Sequence, residues 1–165
     1  MAERVIFLDL DGPMIPGRAY QMASQTRPIV KTFDPCAVGM LNELCKFRDY
    51  KIVLHSSWIK IFGGEDTYKH CIEQGIKAEF FHKDAWCDER IGWRYTRVAK
   101  WLREHPGVEE YFVVDDEPYK ADMDEANPHP VDLADHLILV DFNDGLLMKH
   151  TAKMYGDNHV LRQLN

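Results

Sequence analysis

The chain has 165 residues, 45% hydrophobic and 28% charged, with a formal charge of −7, a size that suits one domain over 1–165 with a substantial core. The acidic balance argues against broad attraction to nucleic acid, while leaving room for a local basic groove, and no apolar stretch reaches the length of a membrane span. The opening MAERVIF lacks the basic start and apolar centre of a secretory signal, and Cys36, Cys45, Cys71 and Cys87 form no CxxC pair, so a cytoplasmic protein with reduced thiols is expected.

In chain order, RVIFLDL reads as a strand buried on both faces, followed by a polar, proline-bearing stretch from Gly12 to about Phe33. A helix starts at DPCAVGMLNELCKF, with Asp34 as N-cap, Pro35 at its first position, and Val38, Leu41, Leu44 and Cys45 at helical spacing. YKIVLHSS is the second strand. A second helix over Asp66 to Gln74 carries Tyr68, Cys71 and Ile72 on one side and ends at Gly75. AEFF is a short third strand. Thr96 caps RVAKWLREH, whose stripe is Val98, Trp101 and Leu102, and the following PG stops it. EEYFVVDD and HLILVD are further strands, and DGLLMKHTAKMYG closes as a helix. Apolar strands alternating with amphipathic helices predict an α/β fold with a mainly parallel sheet covered on both faces.

Such sheets bind ligands outside the carboxyl ends of their strands. Three strands end there in polar pairs: Asp9 with Asp11, Ser56 with Ser57, and Asp115 with Asp116. Alone, DxDG is as often an acidic turn, SS a helix cap and DD a solvated turn. Together, each after an apolar strand, they converge. Two carboxylates at about 4 Å repel by roughly 4 kcal/mol at an effective dielectric near 20. A divalent cation relieves that, and an all-oxygen site favours Mg2+ sharing its shell with a substrate phosphate.

VIFLDLDG, IVLHSSW and YFVVDDEP resemble, in order, motifs I, II and IV of the haloacid dehalogenase-like (HAD) phosphohydrolase superfamily. SSW and VDFNDGLLMKHTAKM further resemble its small capless Swiss Army Knife RNA repair-like members. The resemblance implies a three-layer Rossmann-like fold and phosphomonoester hydrolysis through an aspartyl-phosphate. It implies Asp9 as nucleophile and Asp11 as general acid and base. Mg2+ would lie on Asp9, the carbonyl of Asp11, and Asp115 or Asp116. Phosphate would meet Ser56 or Ser57 and a basic residue on the helix before the last acidic strand. Arg94 is preferred there over Arg97 and Lys100, although no lysine motif is present. Pro13 stands where the family usually has Thr or Val.

Only short stretches separate Gly12 from the first helix and Ser57 from RVAKWL, so no full cap domain is expected. A capless site is open, and the resemblance implies a bulky substrate such as a nucleic-acid end or a protein, with a nucleotide, sugar phosphate or other small ester as the alternative. Arg18, Arg27 and Lys31 are placed to meet further phosphates and Tyr20 to stack on a base, or all are ordinary loop residues. Trp101 reads as core and Trp58 as packing beside the site. His70, His82, His105 and His129 lack metal-ligand spacing, which argues against zinc. The competing readings are a non-catalytic phosphate-binding module on the same fold and a phosphorylation-dependent receiver, which would carry its phosphorylated aspartate on a later strand.

Overall fold

The computed structural model describes residues 3–22, 31–121 and 124–156. Five strands, β1 (Glu3–Leu8), β2 (Tyr50–Leu54), β3 (Phe81–Trp86), β4 (Val108–Asp115) and β5 (Leu137–Leu139), form one sheet in the order β3-β2-β1-β4-β5. Every neighbouring pair is parallel. β1 is central, which explains its unbroken apolar run: Val5, Ile6, Phe7 and Leu8 are all fully buried.

Six helices accompany the sheet among the described residues: α1 (Gly17–Met22), α2 (Pro35–Arg48), α3 (Trp58–Phe62), α4 (Gly64–Glu73), α5 (Arg94–Glu104) and α6 (Met148–Tyr155). Side chains alternate along a strand, and the two faces of β1 meet different layers. Phe7 meets Trp101 of α5 edge-on at 5.3 Å. On the opposite face, Tyr50, paired with Arg4 of β1, brings its hydroxyl to 3.3 Å from the Met154 carbonyl of α6. The fold is therefore three-layered and Rossmann-like. No helix among the described residues is long and apolar enough to cross a membrane.

The expected cap of α2 is present: Asp34 Oδ1 accepts from the Cys36 amide at 2.9 Å, with Pro35 next to it. Two other expectations are corrected. Ala78–Phe80 is a 3-10 turn, and β3 begins only at Phe81. α5 starts at Arg94, so Thr96 lies within it, buried, its hydroxyl 2.8 Å from His129 Nε2 instead of capping the backbone. The short α1 and α3 were not foreseen. Between Gly12 and Phe33 the described residues hold only α1, and between Ser57 and Arg94 only α3, α4, a 3-10 turn and β3. Neither interval contains a cap domain among the described residues.

Candidate active site

β1, β2 and β4 run parallel in adjacent positions, so their carboxyl ends open on one edge. Asp9 leaves β1 there, its amide donating to the Val114 carbonyl of β4 at 3.0 Å. Asp115 is the last residue of β4, and Asp116 follows it. Asp9, Asp115 and Asp116 each bring a carboxylate oxygen within 4.8 Å of the others. Asp9 and Asp115 are buried, whereas Asp116 is partly exposed.

Burial first, and then the charge of Asp115, pushes the Asp9 carboxyl from its ordinary 3.8 up to about 8. The same two causes raise Asp116 to about 6. Arg94 opposes this. Its Nη1 donates to Asp115 Oδ1 at 2.5 Å and to Asp9 Oδ2 at 3.2 Å, and its Nη2 reaches Glu117 at 3.4 Å. Asp9 Oδ1 takes the Leu10 amide at 2.8 Å.

One guanidinium does not neutralise three carboxylates. Moreover, Asp115 Oδ2 is buried and no hydrogen-bond donor among the described residues reaches it. His55 Nε2 lies 3.7 Å from it, and burial pulls that imidazole down to about 4, so it stays neutral. A buried carboxylate oxygen without a partner is costly. An all-oxygen, electron-rich set with one open coordination position fits a hard divalent cation. Asp9, Asp115 and Asp116 would hold it.

Asp11 is outside this three-acid group and is held separately. Its Oδ1 accepts from the Tyr20 hydroxyl at 2.6 Å and its Oδ2 from Trp58 Nε1 at 2.8 Å. Ser56 is buried, and its hydroxyl favours the ionised form of the Asp9 carboxyl, against the effect of burial. Ser57 lies one residue further out, half-buried, where its carbonyl opens α3. The structure thus separates the two serines: only Ser56 is on the acidic cluster.

It also separates the three basic side chains. Arg94 sits on the acids. Arg97 is buried beneath them and donates to the Ser56 carbonyl at 3.2 Å. Lys100 pairs with Asp88 and Glu104, away from the cluster. Of the entrance residues, Arg18 is held by Asp34 at 2.6 Å, Lys31 lies over the Phe62 ring, and Tyr20 stacks on Phe142 while binding Asp11. Arg27 falls outside the described residues.

Three contributors escape sequence reasoning. His55 precedes the serine pair but belongs to the site only through β4. Tyr20 acts through its hydroxyl on Asp11, not as a bare ring. Gly12 adopts φ +88° and passes so close to Asp116 that a Cβ there would lie 2.7 Å from the Asp116 Cβ. A glycine directly after DxD was the available signal for such an approach.

No curated protein and no solved structure matches this chain significantly. A family model does, over residues 5–151, described as the HAD domain in Swiss Army Knife RNA repair proteins. That span takes in β1 with Asp9, β2 with Ser56, and β4 with Asp115 and Asp116. The chain therefore belongs to the family of HAD domains found in Swiss Army Knife RNA repair proteins.

Proposed function

We propose that this protein is a Mg2+-dependent phosphomonoesterase that works through an aspartyl-phosphate on Asp9. The observation that carries this reading is the convergence of Asp9, Asp115 and Asp116 around the unpartnered Asp115 Oδ2, with Ser56 and Arg94 on Asp9 itself. The site lies where an open parallel sheet offers its strand ends, and the family's HAD character supports phosphohydrolase chemistry.

A carboxylate suits the nucleophile role, since it splits hydrolysis into two displacements at phosphorus. In the first, an Asp9 oxygen bonds phosphorus as the bond to the leaving oxygen breaks, and Asp11 gives that oxygen a proton. In the second, water attacks phosphorus, Asp11 takes its proton, and the acyl-phosphate bond breaks to release phosphate and regenerate Asp9. Tyr20 and Trp58 fix the direction of Asp11, and one of their hydrogen bonds yields when Asp11 exchanges its proton. Ser56 and Arg94 hold the non-bridging oxygens. A bound divalent cation supplies charge screening for the approach of one anion to another. Asp9 must be ionised to attack, and its elevated pKa makes that ionisation dependent on added positive charge.

The open edge, without a cap among the described residues, suits a bulky phosphorylated substrate. The RNA repair context in the family description favours a nucleic-acid end. Asp9→Asn is expected to abolish Mg2+-dependent phosphate release from an activated aryl phosphate; undiminished turnover would remove Asp9 as nucleophile. A panel of 3′- and 5′-phosphorylated oligonucleotides, nucleotides, phosphopeptides and sugar phosphates then ranks substrates. Binding to such ligands with no turnover on any ester would favour the non-catalytic module instead.

A further inference from the structure

A second constellation lies at the other end of the sheet. β3 departs from its register with β2: Ile52 pairs with Phe81 and Leu54 with Trp86, so a two-residue step on β2 faces a five-residue step on β3. Such irregularities re-aim side chains. Along this stretch His82 and Asp84 both meet His105, at the end of α5. One ligating atom from each of these three residues lies within 4.8 Å of the other two.

Both imidazoles are already oriented. His82 Nε2 meets the Glu3 carboxylate at 2.6 Å, which makes that nitrogen the donor and leaves the Nδ1 lone pair facing Asp84. That lone pair accepts the Asp84 backbone amide at 2.9 Å. His105 Nδ1 meets the Trp101 carbonyl at 2.7 Å, and a carbonyl can only accept, so Nδ1 carries a proton. His105 Nε2 then faces Asp84 Oδ2 at 2.9 Å. A lone pair does not face a carboxylate oxygen at that distance unaided, so a shared proton or a metal ion lies between them.

Trp101 organises all three residues. Its ring stacks on His105 with centroids 3.6 Å apart, meets His82 edge-on at 4.9 Å, and donates Nε1–H to the Asp84 carbonyl at 3.2 Å. An imidazole whose outer nitrogen is held by a carboxylate or carbonyl, leaving the inner one presented, is the usual support of a metal-ligating histidine. Asp84 and His105 also line a cavity of about 690 Å3 that carries five further carboxylates, Glu65, Asp66, Asp88, Glu89 and Glu104. Lys100 and Arg90 offset Asp88 and Glu104, and Lys69 offsets Glu65, yet Asp66 and Glu89 add to a field that favours cations.

We propose that His82 Nδ1, Asp84 Oδ2 and His105 Nε2 form a binding site for Zn2+ or a similar late first-row divalent ion, its remaining position open to the cavity. Two imidazoles and one carboxylate match the softness of that class better than Mg2+. Binding exchanges the Asp84 amide hydrogen bond at His82 Nδ1, and any second proton on His105, for bonds to the ion. The spacing of the histidines in the sequence does not suggest this site; the fold brings His82 and His105 together. The site is independent of the phosphatase reading, because β1 separates Glu3 from Asp9 by roughly 20 Å at about 3.3 Å per residue.

The test is calorimetric titration of the intact protein with Zn2+ in saturating Mg2+, paired with Co2+ absorption in the visible. One Zn2+ per chain is expected, with Co2+ bands of a low-coordinate nitrogen–oxygen site. Asp84→Asn and His105→Gln should each weaken binding at least tenfold, and Glu3→Gln by roughly tenfold through His82. Asp84 is exposed, and melting of Asp84→Asn in chelator, expected to match the parent, controls for loss of the fold. Absence of saturable Zn2+ binding, or affinity equal to the parent's in Asp84→Asn and His105→Gln, would overturn the proposal.

Discussion

Gly12 and Asp116 are in contact across the site: a Cβ added to Gly12 would stand 2.7 Å from the Asp116 Cβ and 2.8 Å from its Cγ. The DxDG loop can fold over the acidic pair only because that atom is missing, and φ +88° independently disfavours any other residue. Gly12→Ala is therefore expected to cost about 1–3 kcal/mol in stability. Because Asp116 must shift, Mg2+ affinity should fall by roughly tenfold or more. Thermal melts with a parallel Mg2+ titration check both, and unchanged values would show that the contact is soft.

Arg94 is the only described basic side chain that donates to both Asp9 and Asp115. Removing it leaves two buried acids facing one another. Arg94→Ala should lower stability by about 3 kcal/mol in metal-free buffer at pH 8, as for other broken buried ion pairs. Added Mg2+ should recover part of the loss. Arg94→Lys keeps the charge as a single point and is expected to fall between the two. Calorimetric melting with and without Mg2+ distinguishes these; an Arg94→Ala melt equal to the parent would mean that the acids are protonated or solvated instead.

The pH dependence has a definite sign. The folded pKa of Asp9, about 8, lies above its ordinary 3.8, so the folded protein keeps a proton that the unfolded chain has lost. The associated stability is complete below pH 3.8 and disappears as pH rises through 8. Asp116 acts in the same direction between 3.8 and about 6. His55, lowered from 6.5 to about 4, acts oppositely: its contribution is present above 6.5 and lost as pH falls through 4. Between 6.5 and 8, Asp9 alone of the three still changes. Metal-free melting temperature should fall across that window, and both Mg2+ and Asp9→Asn should flatten the curve. A rising metal-free curve would contradict the assignment.

Trp58 and Tyr20 occupy different oxygens of Asp11. Trp58→Phe retains a ring beside Phe62 but deletes the Nε1–H donor. Turnover of an aryl phosphate should drop about tenfold, the loss of one hydrogen bond to a charged group, with KM almost unchanged. Tyr20→Phe should act similarly, and the double variant should lose less than the product of the two, since both donors orient one carboxylate. Equal losses in kcat and in substrate affinity would assign Trp58 to substrate binding instead.

Much of this arrangement was legible because buried parallel strands write continuous apolar runs. VIFL, KIVL and YFVVD each announced where a strand stopped, and the polar residue at each stop is the one the fold gathers. What stayed hidden depends on tertiary partners. Thr96 reads as a cap by its neighbours, yet Arg94 opens α5 with its guanidinium on Asp115, and the Thr96 hydroxyl meets His129 from another segment. AEFF has strand-prone aromatics, but the chain turns through Ala78–Phe80 before entering the sheet. In β3 the register shift against β2 breaks the alternation that marks an ordinary strand. α3 has only five residues, too few for a helical period to declare itself.

The central position of β1 also governs how the protein comes into being. Val5 pairs with Lys51 on one side and with Tyr111 on the other, so one flank closes early and the second waits for most of the chain. During synthesis Asp9 is made long before Asp115, and a nascent chain halted before β4 carries Asp9 with neither of its acidic partners, so Arg94 has nothing to bridge. The acidic cluster is thus completed in one late step of assembly, and a long-range pairing of this kind sets the pace of refolding.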